Sequence, residues 1–402
     1  MTTTIDNLSV EELMALEDNT SCGSYNKQGA PLVRGQGARL WDAAGNEFID
    51  CVSGIGCANV GHSHPRVVAA ISEQVKNLTV CSELYHHQAR ARLQGKLCEL
   101  SVAQRVFLCN SGAEANEGAI KFSRLVTGRQ KIVCAMRGFH GRTMGALSAT
   151  WNKKYKEPFE PLIPHFVHVP YDKLDKLEEV VDDQTAAVLL EVIQGEGGVR
   201  PGSGDYLRGA QELCRKHGAF FAVDEVQSGM GRTGKLFAYQ HHGLEPDLVC
   251  LAKALAAGIP MGAVLIGERV GAIGASMHGS TFGGNPIASV AALAVLEAMI
   301  EEDLPGRAEA LGARLRGALE GLDHPSIREV RGLGLMLGVE LKFKVAPVIA
   351  GLRERGVLAI GAGPRVLRLL PPLVISEEEL DQVVGAIKDT LDAVQEQQGD
   401  QE

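Results

Sequence analysis

Between residues 105 and 253 the hydrophobic positions fall into five short runs: VFLC (106–109), IVCAM (132–136), AAVLLEV (186–192), FFAV (220–223) and DLVCLA (247–252). Runs of this length that are apolar at successive positions suit strands buried on both faces, as in a parallel sheet. The segments between them are long enough for the right-handed crossovers that such a sheet requires. Each run ends in polar or glycine-rich chain: NSGAEANE, RGFHGRT, IQGEGG, DEVQ and Lys253. Open α/β sheets bind ligands beyond the carboxyl ends of their strands, so five such tails predict one shared crevice.

Outside this region the pattern changes. Residues up to about Glu17 read as a polar, helix-capable leader, and 33–54 reads as short β runs turning at Gly45-Asn46, a hairpin on the body of the protein. Pro65 suits the first turn of a helix over 66–78. Beyond about Glu301 helix and strand alternate: 313–322 helical, 330–341 and 366–374 extended. Ser376 and Glu379 form a capping box for a closing helix over 377–395, and 395–402 read as disordered. The division expected is an N-terminal segment (1–60) packing with a C-terminal small α+β domain (301–402), around a large domain (61–300).

Composition narrows the class. The 402 residues are 45% hydrophobic and 22% charged, ordinary for a globular protein, and the net charge of −9 argues against general nucleic-acid binding. The longest apolar stretch, 286–300, carries Glu297 and is too short to span a bilayer; the N-terminus has no secretory pattern. Nine cysteines without CxxC spacing suggest free thiols in a cytoplasmic protein. His62 and His64, His86-His87 and His241-His242 lack the spacing of a metal site, and none is expected.

The candidate chemistry lies at the strand ends. Asp224 and Lys253 close two successive runs, an acid and an amine on either side of a possible ligand. Asn110 or Ser111 can cap a helix from about Ala113 to Val126, and Gly112 leaves its first amides facing an anion. Phe139 offers an aromatic face, and Arg142 a fork for a carboxylate. GMGRTGK (229–235) imitates a phosphate loop, yet Leu236 stands where a metal-binding hydroxyl is needed and four polar residues separate it from its strand; it reads as a tight loop covering the site.

Taken in order, NSGAEANE, FHGRT, EVIQGEGGV, DEVQSGMGRTGKLFA, LAKAL and HGSTFGGNP resemble the signature series of class III pyridoxal-phosphate aminotransferases, specifically the acetylornithine aminotransferase group. The resemblance runs from about Tyr25 to Val384. RGQGARLWDAAGNEFIDCV, REVRGLGLMLGVEL and AIGAGPRVLRLLPPLVI look closer still to the branch acting on substrates attached to the carrier protein LysW in lysine biosynthesis. The resemblance implies a fold-type-I α/β architecture, with a mostly parallel, seven-stranded-type sheet between helices plus a smaller α+β domain, assembled as a homodimer. It implies pyridoxal 5'-phosphate held by Lys253 as a Schiff base, with Asp224 on the ring nitrogen. Ser111, Gly112, Ala113, Phe139, His140, Glu191 and Gln227 would complete the cofactor site, Thr281 reaching the phosphate from the partner subunit. Arg142 and Ser280 would meet substrate, and Glu196 with Arg368 would form a gate for glutamate or 2-oxoglutarate. Acetylornithine transamination, aminomutation and a non-catalytic binding role are the alternatives; the last would be expected to lack Lys253 or Asp224. An acidic carrier calls for basic groups at the mouth, Arg90, Arg92 and Lys96 being the nearest local cluster. Val192 replaces the family's usual proline, and Ala256-Ala257 its usual glycines.

Overall fold

The computed structural model describes residues 8–399. The five apolar runs all become strands of a single seven-stranded sheet: β1 (Arg105–Cys109), β2 (Lys131–Ala135), β4 (Thr185–Leu190), β5 (Phe220–Asp224) and β6 (Leu248–Leu251). Two further strands, β3 (Phe166–Val169) and β7 (Gly262–Ile266), complete it. The order is β1-β7-β6-β5-β4-β2-β3. All neighbours are parallel except β7, which runs antiparallel to both β6 and β1.

Successive residues of these strands enter different cores, which is why the runs show no polar alternation. Val188, Leu190, Phe221, Val223, Val249 and Leu251 pack on one side with Leu207, Ala210 and Cys214 of the helix Gly204–His217. Ala187, Leu189, Phe220, Ala222, Leu248 and Cys250 pack on the other with Ala115, Ala119 and Phe122 of α1 (Gly112–Thr127). The result is an α/β sandwich whose strands are shielded from water on both faces.

The N-terminal leader forms a helix, Val10–Thr20, capped by Ser9. The expected hairpin is a three-stranded meander, Leu32–Gln36, Arg39–Asp42 and Glu47–Asp50, extended by Val357–Leu358 from late in the chain, with Val357 paired to Ile49. Pro65 opens the helix Pro65–Asn77. The apolar stretch 286–300 is a core helix, α2 (Pro286–Glu301), and no helix among the described residues is long and apolar enough to cross a membrane.

Toward the C-terminus α3 (Leu304–Glu320) leads into a four-stranded sheet of β8 (Ile327–Leu333), β9 (Met336–Leu341), β10 (Ile360–Gly361) and β11 (Val366–Leu369), ordered β8-β9-β11-β10. The Ser376–Glu379 capping box is present, and α4 (Glu377–Gly399) follows it. This helix continues four residues past 395, contrary to the expected disorder; Asp400–Glu402 lie outside the described residues. All nine cysteines are free, five of them buried.

The segment 229–235 departs from expectation. It does not line the site: residues 229–234 are buried, Lys235 alone is exposed, and Arg232 is wholly enclosed. Arg232 donates to the carbonyls of Leu335 and Pro371 and to Asn59 Oδ1, joining three distant parts of the chain. Burial pulls its pKa down to about 9, although Asp50 opposes the shift. Gly334, at the β8–β9 turn with φ +53°, touches this loop so closely that an added Cβ would lie 2.5 Å from the Thr233 carbonyl carbon. Gly334→Ala is therefore expected to lower the thermal unfolding midpoint by several degrees, since overpacking and left-handed strain add to about 2 kcal/mol or more; calorimetry checks this, and an unchanged midpoint would show that the contact relaxes freely.

Candidate active site

A cavity of about 390 Å³ opens at the carboxyl ends of the strands, lined by residues from four of the five predicted tails and by Lys253. Asp224 ends β5 and lies at its floor, 4% exposed. Its Oδ2 accepts from Asn116 Nδ2 at 2.7 Å and meets His140 Nδ1 at 2.8 Å, while Oδ1 accepts from the Val226 amide at 3.0 Å. Three neighbours thus engage the two oxygens of this buried carboxylate and fix its orientation. Burial depresses the His140 pKa, but the hydrogen bond and charge of Asp224 outweigh it and the net shift is upward.

Lys253 follows β6 and points into the same cavity from a left-handed backbone, φ +47°. Burial lowers its ammonium pKa, partly countered by Asp224. An amine that loses its proton more readily is a better nucleophile and base. The following Ala257 is also left-handed, φ +49°, a conformation that the family's usual glycine adopts without strain and alanine does not. Val192 is fully buried, and its carbonyl accepts from Gly202 N and the Tyr171 hydroxyl.

The anion cradle is built as the sequence suggested. Ser111, and not Asn110, caps α1: its Oγ accepts from Glu114 N at 3.1 Å, and its carbonyl takes the Ala115 amide. The amides of Gly112 and Ala113 have no protein acceptor among the described residues and border the cavity. Two free donors at the N-terminus of a 16-residue helix are suited to an anion. A Cβ on Gly112 would lie 2.6 Å from Val226 Cγ1, so only glycine admits this approach.

Phe139 lines the cavity, its amide bound to Glu191 Oε1 at 3.0 Å; Glu191 Oε2 accepts from Gly195 N at 3.0 Å. Glu191 thus joins the Phe139 loop to the Glu196 loop with both oxygens. Arg142 stands exposed at the rim, 3.7 Å over the ring of Tyr155. Gln227 and Glu196 line the cavity; Arg368, 2% exposed, lies behind them, with Nη1 2.7 Å from Glu196 and 3.2 Å from Gln227.

Ser280 and Thr281 do not line this cavity. Ser280 Oγ is engaged by Asn110 Nδ2 and Gly283 N, and Thr281 is exposed. The basic cluster expected at the mouth is also dissolved: Arg90 is 4% exposed and donates to the carbonyls of Cys81, Ser82 and Tyr85, while Lys96 pairs with Glu99. Asn116 and Val226 were missed by sequence reasoning. Asn116 had a signal, since it falls one turn after Gly112 on the same helix face; Val226 had none.

The cavity therefore suits one planar, anionic, carbonyl-bearing ligand: phosphate at the Gly112–Ala113 amides, a carboxylate for a basic ring nitrogen, and an amine for the carbonyl. Comparison with known proteins agrees. The family model for class III aminotransferases matches residues 23–391. An acetylornithine aminotransferase of Methanothermobacter thermautotrophicus is 45% identical over 94% of this chain and 97% of its own. A [LysW]-aminoadipate semialdehyde transaminase of Deinococcus radiodurans is 46% identical over 95% and 90%. Among solved structures, the ornithine aminotransferase of Toxoplasma gondii superposes with a TM-score of 0.94 at 35% identity, covering 98% of this chain and 97% of that one.

Two buried acids give the site a pH signature. Burial raises Glu191 to about 7 and Glu225, which accepts the Ala238 and Tyr239 amides, to about 8, both from 4.5. A carboxyl group with a raised folded pKa contributes stability that is full below 4.5 and lost as pH rises through the folded value. The cofactor-free protein is expected to lose stability between about pH 5 and pH 8, and Glu225→Gln, though less stable at low pH for want of one acceptor, should show a shallower decline in thermal unfolding midpoint; an unaltered slope would remove Glu225 from the account. The cavity, the helix N-terminus, the buried Asp224 and the match along 23–391 lead to one assignment: the chain belongs to the class III aminotransferases and is a transaminase dependent on pyridoxal phosphate.

Proposed function

We propose that this transaminase exchanges the terminal amino group between glutamate and the semialdehyde of a LysW-bound aminoadipate unit, with the LysW-bound ornithine precursor as a further substrate and acetylornithine as the second reading. The supporting observation is the mouth of the site. A second cavity of about 600 Å³ shares Phe139 and Glu196 with the first and is bordered by Arg137, Lys153, Arg200 and Arg365 against the carboxylates of Glu196 and Glu340. Glu196 is engaged by Arg368 and Glu340 by Arg331, whereas Arg137, Lys153 and Arg365 are exposed and have no ion-pair partner among the described residues. On a chain of net charge −9, a cationic entrance suits a substrate presented by an acidic carrier.

In this reading each residue has one task. When bound, pyridoxal phosphate supplies the electron sink for the C–H bond that is broken. Lys253 would hold it through Nζ and serve as the base that moves the proton of the substrate carbon; Asp224, its carboxylate fixed by Asn116 and His140, would partner the ring nitrogen. Gly112 and Ala113 would hold the phosphate. Phe139 would offer an aromatic face and Gln227 a polar contact, while Glu191 positions the two loops that carry Phe139 and Glu196. Arg142 takes a substrate carboxylate, and Arg368 takes that of glutamate once Glu196 withdraws from it.

Thr281 serves the site of a second copy, and its exposed position outside its own cavity supports a homodimer. The pairing of Glu47–Asp50 with Val357–Leu358 supports the division into an N-terminal segment (1–60) associated with a small domain (301–402), and a large domain (61–300).

The test is a paired kinetic comparison of carrier-linked lysine with acetylornithine as amino donor. The carrier-linked donor should have the higher kcat/KM; equal or better use of acetylornithine would overturn the preference. In the double variant Lys153→Glu with Arg365→Glu, KM for the carrier-linked donor should rise about tenfold while that for acetylornithine stays within about twofold. Equal changes in both would dismiss the entrance as a docking surface.

A further inference from the structure

Glu196 sits on a tight loop between the short paired strands Ile193–Gln194 and Arg200–Pro201. That loop lies against one face of the β8-β9-β11-β10 sheet, and one cross-strand row there places Arg331 of β8 and Arg368 of β11 on either side of Gly338 of β9. Both arginines reach the same loop. Arg368 meets Glu196, as described; Arg331, 7% exposed, donates from Nε and Nη2 to the carbonyl of Gly198 at 2.9 and 2.7 Å, and from Nε to that of Val199 at 3.1 Å. Its remaining nitrogen, Nη1, is held by Glu329 and Glu340, each at 2.6 Å.

The backbone it grips is strained. Gly198 has φ +102° and Val199 φ +49°, the latter a left-handed conformation that costs a β-branched residue about 1–2 kcal/mol. Gly338 lets the loop lie so close: a Cβ there would be 2.8 Å from Val199 Cβ. A buried guanidinium whose three nitrogens are engaged on two successive carbonyls and two carboxylates is a rigid fixture, and Glu196 is two residues from Gly198.

We propose that Arg331 is a positioning residue for donor selection: by fixing Gly198 and Val199 it sets where Glu196 hangs over Arg368, and so how readily Arg368 is uncovered for glutamate. Arg331 touches neither cavity. It reaches the gate through the Glu196 loop, and the proposal rests on the reading of Glu196 and Arg368 as a gate. Without the anchor the loop relaxes, Glu196 screens Arg368 less, and dicarboxylates gain at the expense of the terminal-amine donor.

The test follows the two half-reactions separately, using glutamate and whichever of carrier-linked lysine or acetylornithine the wild-type enzyme uses, in Arg331→Met, Glu196→Gln and the double variant. Arg331→Met should lower the kcat/KM ratio of terminal-amine donor to glutamate about tenfold, or about 1.4 kcal/mol. In the Glu196→Gln background the same change should move the ratio less than about twofold, because the group that Arg331 positions is gone. Glutarate, titrated calorimetrically, should bind Arg331→Met severalfold more tightly than wild type. A full effect of Arg331→Met in the Glu196→Gln background, or weaker glutarate binding, would overturn the proposal. A Glu196→Gln variant with an unaltered ratio would instead bring down the gate reading. If Arg331→Met does not fold, Arg331→Lys and Gly338→Ala, which disturb the same loop by losing a donor and by pushing Val199, should shift the ratio the same way; no shift in either would refute the role of the anchor.

Discussion

Everything in the active site depends on holding one buried carboxylate, that of Asp224, in a fixed place at the floor of the cavity. A buried carboxylate left without hydrogen-bond partners costs several kcal/mol. Here Asn116, His140 and the Val226 amide supply the opposing interactions, and they come from a helix, a loop and the strand end itself. That requirement explains much of the surrounding architecture. Helix α1 must pack against the sheet with its second turn over β5, the His140 loop must fold inward, and the chain must turn sharply after Asp224. The same helix presents its first amides to the cavity, so one rigid element both steadies the acid and offers an anion site at its end.

A second set of charges governs the other side of the cavity. Arg368 and Glu196 meet across the boundary between the two sheets, and Arg331 ties down the loop that carries Glu196. The first set is closed, with fixed donors around a fixed acid. The second has one movable member, since Glu196 is part-exposed whereas both arginines are buried. In the proposed function, chemistry common to all substrates would reside in the first set, and choice among substrates in the second. The enclosed Arg232 serves neither; it ties Asn59, the 229–235 loop, the β8–β9 turn and Pro371 into a base on which both can be held.

How much of this was legible in the sequence follows from the range of each interaction. Strands β1, β2, β4, β5 and β6 announced themselves through continuous apolar runs, and Asp224 and Lys253 through their place at the ends of two of them. The Ser111 cap and the Ser376–Glu379 box are local patterns and were readable. Strand β7 was not read, nor was its antiparallel entry between β1 and β6, because strand order is set by packing across the sheet. The loop 229–235 misled for a related reason: its glycines answer to Gly334 and Glu309, which are remote in sequence. Arg90 looked like a surface cation because its carbonyl acceptors carry no sequence signal, and Arg331 was invisible for the same reason.

The central claim is that Lys253 is the amine that carries the cofactor, in a site whose acid is Asp224. The most direct measurement is reduction of the purified holoenzyme with borohydride, followed by proteolysis and mass spectrometry to locate the attached cofactor. The account predicts the added mass on the peptide containing Lys253, at Lys253 itself. Attachment at any other lysine, or no stable adduct at all, would contradict it.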